Sequence, residues 1–305
     1  MKLPLLIALS AAGLLCHAQV SIAPEDIAVM IDGKPFTTFH YGSNANKPFL
    51  APLRSASGKI VTRHFPMEEV AGESHDHLHH RGLWFSYDDV NGVKFWENDP
   101  SYTKGKVGKI VVRDTKWKGN TLTAVMEWRG PDGKVLLQEN RDMTFASDAK
   151  IRIIDFTIGL TAATEDVTFG DTKEGAFAIR LADAFTEKKG MKMTDADGRV
   201  KMANIWGKRS NWVDYSTDVD GEQIGVAMFD HPSNPRHPTY WHARDYGLFA
   251  LNPFGQKAFD PKQEESALKL AKGQKMTYKW RVVIHQGDAE TGRVADLYKD
   301  YAAKK

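Results

Sequence analysis

Long segments of alternating and β-branched residues constrain the fold of this chain more than any other feature. Three such segments occupy residues 109–113, 121–128 and 151–158. Strands are typically rich in Val, Ile and Thr, and their successive side chains point to opposite faces. Turn-forming residues at 118–120 and 131–134 separate these segments. The pattern therefore predicts consecutive antiparallel strands joined by hairpins.

The rest of the chain continues this pattern and shows no alternation of strands with helices. Further strands are predicted at residues 175–181, 224–229, 247–252 and 276–285. One amphipathic helix is predicted near the end, where apolar residues recur at helical spacing: Val294, Leu297, Tyr298 and Tyr301. The predicted fold is all-β, with two large antiparallel sheets packed as a sandwich and a C-terminal helix. Residues 188–215 are expected to form a long loop across one end.

The first eighteen residues are typical of an export signal. Lys2 is followed by an apolar run, and Ala18 ends a small-residue cleavage pattern. We therefore expect a signal peptide at residues 1–18, one domain at 19–305, and a periplasmic or secreted location. Lipid attachment at Cys16 is less favoured because Leu15 precedes it where a small residue is usual. No membrane span is expected after the signal, since its apolar run is too short to cross a bilayer.

Composition excludes several other classes of protein. The net charge is +2 and no basic run stands out, so nucleic acid is not an expected partner. Cys16 is the only cysteine, which excludes disulfides and cysteine-based chemistry after cleavage. Phosphate-binding loops, dinucleotide fingerprints and serine-hydrolase elbows are absent, so no nucleotide cofactor is expected.

A cluster of histidines at residues 75–81 is the first candidate site. If this segment were extended, alternate side chains would share one face. His77 and His79 could then hold a divalent metal ion together with a carboxylate from elsewhere. Alternatively, His79 or His80 would transfer a proton while Arg81 neutralises an anion. The third interpretation is a polar turn whose histidines only form hydrogen bonds.

Two later segments and one earlier residue add candidate side chains. The proline-rich residues 229–244 predict a stiff loop with ligand-binding side chains at His231, Tyr240, Trp241 and Arg244, and a catalytic one at His242. The alternative is a brace whose aromatics belong to the core. Glu174 precedes a predicted strand and is a candidate base or metal ligand, or else a turn residue paired with lysine. Arg63 is a candidate for substrate binding or a surface ion pair.

Five motifs together resemble the exported bacterial proteins labelled PmoA-like, or methane oxygenase PmoA. They cover nearly the whole chain after the signal and are specific: Arg63-x-Phe65-Pro66, Asp76-His77-x-His79-His80-Arg81-Gly82-Leu83-Trp84-Phe85, Asn91-Gly92-x-x-Phe95-Trp96, Asp171-Thr172-Lys173-Glu174-Gly175 and Tyr240-Trp241-His242-x-Arg244-x-Tyr246-Gly247-Leu248. We treat the family's name as a misnomer, because the monooxygenase subunit that it refers to has several membrane-spanning helices. The resemblance implies a galactose-mutarotase-like β-supersandwich, an association with glycan degradation, and sugar binding on a sheet face.

The leading hypothesis is a periplasmic carbohydrate-active enzyme, a lyase, hydrolase or epimerase, that acts on a sugar or oligosaccharide by proton transfer. A histidine of the cluster would act as base or metal ligand, Arg81 would stabilise negative charge, and Glu174 or His242 would protonate the leaving oxygen. The alternatives are a non-catalytic sugar-binding protein and a copper-dependent redox protein. A divalent metal ion is the only cofactor that these hypotheses include.

Overall fold

The structure of the protein is a computed structural model that describes residues 18–23, 26–42 and 45–304. The predicted signal peptide at residues 1–18, including Cys16, lies almost entirely outside these ranges. Within them, no helix has both the length and the apolar character needed to cross a bilayer.

Strands dominate the described residues. In chain order they are β1 (Ala18–Ala23), β2 (Asp26–Ile31), β3 (Lys34–His40), β4 (Phe49–Ala51), β5 (Leu83–Tyr87), β6 (Lys109–Lys118), β7 (Thr121–Arg129), β8 (Val135–Ser147), β9 (Ile151–Ala162), β10 (Val167–Phe169), β11 (Gly175–Arg180), β12 (Lys192–Asp195), β13 (Trp212–Val219), β14 (Glu222–Asp230), β15 (Tyr240–Ala243), β16 (Leu248–Asn252), β17 (Leu268–Leu270) and β18 (Lys275–Gln286). The α-helices are α1 (Met202–Ile205) and α2 (Val294–Ala302), and short 3₁₀ turns lie at Asp183–Phe185 and Glu187–Lys189.

These strands form two large antiparallel sheets. The first sheet has the order β1-β2-β3-β4-β5-β11-β16-β15, and the second has the order β12-β13-β14-β18-β9-β8-β7-β6. The short strands β10 and β17 pair separately. The predicted all-β fold with a C-terminal helix is confirmed, and every predicted strand segment lies on an observed strand. The hairpin predicted at residues 118–120 is also confirmed, because Lys118 pairs with Thr121 across a two-residue loop.

The main core lies between the inner faces of the two sheets. Phe85 and Phe177 of the first sheet contact Trp280 of the second, with ring centroids 5.5 and 5.0 Å apart. Phe156 contacts Phe177 at 4.7 Å. Large buried rings of this kind contribute most of the apolar area that stabilises a sandwich. Since side chains alternate along each strand, the residues between these positions lie on the outer faces.

Two structural expectations were wrong. Residues 188–215 are not one long loop, because they contain β12, α1 and the start of β13. The histidine segment is not a strand either: His77 has a left-handed backbone conformation (φ 47°) and the amide of His80 donates to the carbonyl of His77 at 2.9 Å. This turn breaks the alternation that would have placed His75, His77, His79 and Arg81 on one face.

The C-terminal helix covers the outer face of the second sheet. Its predicted apolar side chains contact that face, with Val294 and Tyr301 buried and Leu297 and Tyr298 partly buried. The ring of Tyr301 lies 6.0 Å from that of Phe229 on β14. The amphipathic pattern is thus confirmed, and the helix owes its stability to packing rather than to its nine residues alone.

Replacing Tyr301 by Ala is expected to lower the free energy of unfolding by about 3 kcal/mol, because it leaves a cavity beneath the helix. Urea unfolding followed by circular dichroism measures the change. Lys299→Ala, an exposed substitution on the same helix, is the control and should change stability by less than about 0.5 kcal/mol. Equal losses in both variants would contradict the packing assigned to the helix.

Candidate active site on the outer face of the first sheet

One row of paired residues crosses five strands on the outer face of the first sheet. Register pairs connect Phe49 on β4 with Trp84, Trp84 with Ala178, Ala178 with Ala250, and Ala250 with His242 on β15. We call these five residues the outer row. Strands lie about 4.8 Å apart, so Trp84 and His242 are separated by roughly 14 Å. The two alanines between them are fully buried in a small hydrophobic cluster, which includes Trp84 and Phe49.

A stack of four rings stands at the Trp84 end of the outer row. His80 stacks on Trp84 with centroids 5.3 Å apart, His77 stacks on His80 at 4.6 Å, and Tyr246 stacks on His77 at 5.4 Å. The interplanar angles are 26°, 2° and 11°. The turn at His77 therefore brings two histidines of the cluster into one aromatic column and joins it to the loop after β15.

The position of the histidine loop is fixed by two buried arginines and Asp76. The guanidinium of Arg63 donates to the carbonyls of Phe65, Ser74, His77 and His80 and to Asp76. Arg180, at the end of β11, donates to the same carboxylate at 2.7 Å. A guanidinium has five donors and can therefore hold several carbonyl groups of one loop.

Charge and burial set the pKa values of this network. Burial by itself would raise the pKa of Asp76, but the hydrogen bond from His77 and the charges of Arg180 and Arg63 outweigh it and lower that pKa. Burial, together with the charge of Arg180, lowers the pKa of Arg63 to about 10. Asp76 is therefore ionised at neutral pH, and its charge offsets that of the two guanidinium groups.

His79 and His80 are neutral at physiological pH. Burial lowers the pKa of His79 to about 2, and the charge of Lys47 contributes in the same direction. Burial also lowers the pKa of His80 well below its usual value, with further contributions from His79 and Arg180. His79 contacts the hydroxyl of Tyr102 through Nδ1 at 3.1 Å. Neutral imidazoles can accept a proton or a hydrogen bond, whereas imidazolium cannot.

A buried lysine, Lys47, lies beside the ring of Trp84, with its Nζ 5.8 Å from the ring centroid. Nζ of Lys47 donates to the carbonyl of Trp96 at 2.7 Å and to Oδ1 of Asn98 at 2.6 Å. Burial lowers its pKa to about 7, the charge of Arg81 adds to this shift, and Asp99 opposes it. Arg81 itself donates to Asp99 at 2.8 Å.

The opposite end of the outer row holds His242 and Glu174. Nδ1 of His242 lies 2.9 Å from the carbonyl oxygen of Lys173. Burial lowers the pKa of His242 to about 4, and the charge of Glu174 partly opposes this shift. Glu174 is 24% exposed and forms an ion pair with Lys173. The rings of Trp206 and Phe259 lie 6.5 and 6.2 Å from the imidazole and form a wall beside it.

The strand that carries His242 is supported on both sides. β15 pairs with β16 along one edge. Along its other edge, the amide of Gly207 donates to the carbonyl of Trp241 at 2.9 Å, and the amide of Trp241 donates to the carbonyl of Lys208 at 3.0 Å. Arg209 continues this contact as an antiparallel bridge to Tyr240.

The outer row is surrounded by polar atoms that have no hydrogen-bond partner among the described residues. Six of these buried atoms lie near the row: Trp84 Nε1, Ser86 Oγ, Trp96 Nε1, Arg180 Nε, Trp206 Nε1 and Arg244 Nε. Five are nitrogen donors, and the hydroxyl can also donate. Leaving such groups buried and unpaired costs about 1–3 kcal/mol each, so native proteins rarely do so without a function. These atoms are enclosed by the surrounding side chains, and they mark this face as a candidate functional region.

Two cavities flank this face. One of about 520 Å³ lies beside Tyr246 and Arg180, with Asp76, Lys188 and Lys189 in its wall. The other, of about 310 Å³, is lined by Phe49 of the outer row and by side chains that include Arg81, His40 and Met67. Both cavities lie at the end of this face that carries the histidine loop, and either has space for a small ligand.

The structure places most of the predicted site residues around this face. His77, His79, His80 and Arg81 lie at one end, and Glu174, His242, Arg244 and Tyr240 lie at the other. Tyr240 is on the outer face of β15, where its ring stacks on Phe259 at 5.5 Å.

Three predicted residues are used elsewhere in the fold. Trp241 points into the main core. His231 follows β14 and contacts the carbonyl of Lys304 through Nε2 at 3.0 Å. The side chain of Arg63 is fully buried beneath the histidine loop. Their roles are in packing and loop position, because none presents a free polar group at the outer row.

Sequence reasoning missed Lys47, Trp84, Trp96, Arg180 and Tyr246. Arg180 had a visible signal, since it is a charged residue at the outward position of an otherwise apolar strand. Tyr246 lies two residues beyond Arg244 and was part of a quoted motif. Nothing in the local sequence marks Lys47, because its burial depends on long-range contacts with Trp96 and Asn98.

The donor set does not suit the predicted divalent metal ion. Among the described residues, no group of three or more His, Cys, Asp or Glu side chains is arranged to hold one. The positive charges of Arg63, Arg180 and Lys47 lower the pKa values of His79 and His80 and would equally repel a cation. The surroundings of these histidines favour an anion instead.

Replacing Asp76 by Asn is expected to destabilise the protein by about 1–3 kcal/mol at pH 7, because two buried guanidinium groups lose their counter-charge. This range allows for solvent screening, since the Asp76 side chain is 40% exposed. The lowered pKa of Asp76 stabilises the wild type above about pH 4, and that contribution is lost as the pH falls further. Urea unfolding at pH 7 and pH 3 should show a smaller pH dependence in the variant, while Asp300→Asn on the exposed side of α2 should match the wild type.

Replacing Lys47 by Met tests the buried amine. The pKa of Lys47 is lowered from 10.5 to about 7 in the folded protein, so between pH 7 and 10 the unfolded chain binds a proton that the folded protein does not. The free energy of unfolding of the wild type should therefore rise with pH over this range. In Lys47→Met this rise should be smaller. Unfolding curves at these two pH values measure it, and an unchanged pH dependence would contradict the assignment.

No curated protein is similar to this chain in sequence. Among solved structures, the chain is similar to a galactose mutarotase-like protein from Clostridium acetobutylicum, with 8% identity, coverage of 89% of this chain and 99% of that one, and a TM-score of 0.42. A galactose mutarotase related enzyme from Lactobacillus acidophilus has 9% identity, coverage of 88% of this chain and 97% of that one, and a TM-score of 0.36. The alpha-galactosidase from Lactobacillus brevis has 8% identity, coverage of 92% of this chain and 41% of that one, and a TM-score of 0.40. In sequence, residues 26–299 match a family of unknown function (DUF6807), and the chain belongs to that family.

Proposed function

We propose that this protein is a carbohydrate-active enzyme that binds a sugar or glycoside beside the outer row and transfers a proton at a ring carbon. The observation that carries the proposal is a neutral histidine, His242, at the end of the outer row, with the rings of Trp206 and Phe259 beside it. Flat rings pack against the apolar faces of sugars, and donors bind their oxygens. Elimination, glycoside cleavage and epimerisation can each proceed by such a proton transfer.

The hydrogen bonds of His242 make it the base. A carbonyl oxygen can only accept, so Nδ1 of His242 carries the proton that it donates to Lys173. In a neutral imidazole the lone pair then lies on Nε2. The lowered pKa keeps this nitrogen free of a proton from about pH 5 upward. Glu174, beside it, is the candidate to protonate a leaving oxygen.

His77 is the second proton-transfer group. Its Nδ1 lies 3.0 Å from Oδ2 of Asp76, which accepts the proton of that nitrogen and leaves Nε2 with the lone pair. The side chain is 41% exposed, in contrast to His79 and His80. His80 has the opposite tautomer, since Arg180 donates towards its Nδ1 at 3.4 Å, and its Nε2 is a donor. His242 is thus proposed as a base where the sequence predicted an acid, whereas the cluster keeps the base role expected of it.

The proposal also includes the location of the protein and its resemblance to the PmoA-like proteins. A periplasmic or secreted protein would meet glycan fragments outside the cytoplasm, and the support for this is the export-signal pattern at residues 1–18. The resemblance to PmoA-like proteins is consistent with a sugar-processing role and stays a prediction. A copper redox function has less support, because the arginine and lysine charges beside the histidines disfavour a cation.

The proposal is tested by incubating the protein in D₂O with a panel of glycosides and their oxidised derivatives. Proton NMR detects loss of a ring C–H signal, an unsaturated product or an epimer. We expect His242→Gln to reduce the rate about 10²–10⁴-fold, because general-base catalysis contributes that much. The wild-type rate should be constant from about pH 5 to 8 and fall as the pH drops through about 4, where His242 becomes protonated.

His231→Gln is the matched control, because His231 lies beside the C-terminus and away from the outer row. It should retain the wild-type rate. Sugars that bind without any exchange or product would instead favour a non-catalytic sugar-binding protein. An equal loss of rate in both variants would contradict the role given to His242.

A further inference from the structure

Arg244 is a guanidinium without a counter-charge at the site. Its side chain forms no hydrogen bond or ion pair with any described residue, and its Nε is buried. Its guanidinium packs over the ring of Tyr246, whose centroid lies 5.4 Å from Cζ. Most arginines in this region are paired, as Arg81 is with Asp99 and Arg180 is with Asp76.

The neighbouring carboxylates do not neutralise it. Glu174 pairs with Lys173, and Asp76 pairs with both Arg63 and Arg180. Asp245 follows Arg244 in the chain and is exposed, with no ion pair to it. Burial is the main reason that the pKa of His242 is lowered, and the charge of Arg244 adds a smaller contribution in the same direction. An unpaired, partly buried guanidinium is costly, and its planar donors match a carboxylate in geometry.

Arg244 lies next to His242 on the same face of the sheet. Residues 242 and 244 are two apart at the end of β15, so their side chains point to the same face, about 7 Å apart. The amide of Arg244 donates to the carbonyl of Leu248 at 2.8 Å, which holds it in the continuation of the β15–β16 pairing. A carboxylate bound to Arg244 would therefore present its neighbouring carbon towards Nε2 of His242.

We infer that the sugar bound beside the outer row carries a carboxylate, and that Arg244 binds it. This inference rests on the proposed function and names its substrate class as acidic sugars, such as uronic acids and their glycosides.

The chemistry of an acidic sugar fits the same groups. The proton on the carbon next to a carboxylate passes to Nε2 of His242, and the electron pair of the broken C–H bond moves into the carboxylate to give an enediolate. The extra negative charge develops beside Arg244, which stabilises it. In an elimination, the imidazolium of His242 passes its proton through the carboxylate of Glu174 to the oxygen that leaves the next carbon, and both groups return to their starting forms. In an epimerisation, water supplies a proton to the opposite face and His242 releases its own to solvent.

The test compares matched ligands that differ only in charge. Methyl glycosides of several uronic acids and their methyl esters are titrated into the wild type and followed by calorimetry at low and at moderate salt. We expect an acid to bind at least about 10-fold more tightly than its ester, and Arg244→Gln to remove this preference. Arg244→Lys should retain part of it, because the charge remains while the planar fork is lost.

Arg113→Gln is the control, since Arg113 is 54% exposed on β6 of the second sheet. It should keep the wild-type preference, and thermal unfolding of each variant checks that it is folded. If acids and esters bind equally, this inference is overturned while the proposed sugar site stands. If neither class binds nor reacts, the proposed function itself fails. A preference that survives in both Arg244 variants would place the carboxylate elsewhere.

Discussion

The shared carboxylate of Asp76 is the interaction on which the candidate site depends. It lies between two buried guanidinium groups, Arg63 from the loop and Arg180 from β11, and it also accepts from His77. Without this charge the two arginines would repel each other in a region where solvent screens them weakly. The pairing thereby connects the histidine loop to the sheet and fixes the ring stack above Trp84.

The sheet supplies the other half of the site in a different way. Its outer row places two buried alanines between Trp84 and His242, so a continuous, buried part of the sheet joins the two ends of the site. The candidate proton-transfer groups lie at its two ends, with His77 on the histidine loop and His242 on β15. The buried histidines are kept neutral by burial and nearby positive charge, which is how a protein obtains proton acceptors in a cationic site.

The sequence predicted the fold well because strand patterning is local. The alternation in residues 109–158 and the spacing of Val294 and Tyr301 each need only one short segment to be interpreted. The histidine cluster was identified as a site candidate, but its geometry was wrong, since a single left-handed residue at His77 changes which side chains share a face. The burial of Lys47 and the ion pairs of Asp76 depend on contacts with residues far away in the chain, such as Arg180. A local sequence pattern cannot predict such contacts. The functional roles at these residues stay proposals.

The support of β15 on both edges has a consequence for how the protein behaves in a crowded solution. β15 ends the first sheet, and a bare terminal strand offers unpaired amides and carbonyls to any extended chain. Here the segment from Gly207 to Arg209 occupies that edge. The hydrogen bonds that hold the strand of His242 in place therefore also prevent other chains from adding to this sheet edge, which would lead to aggregation.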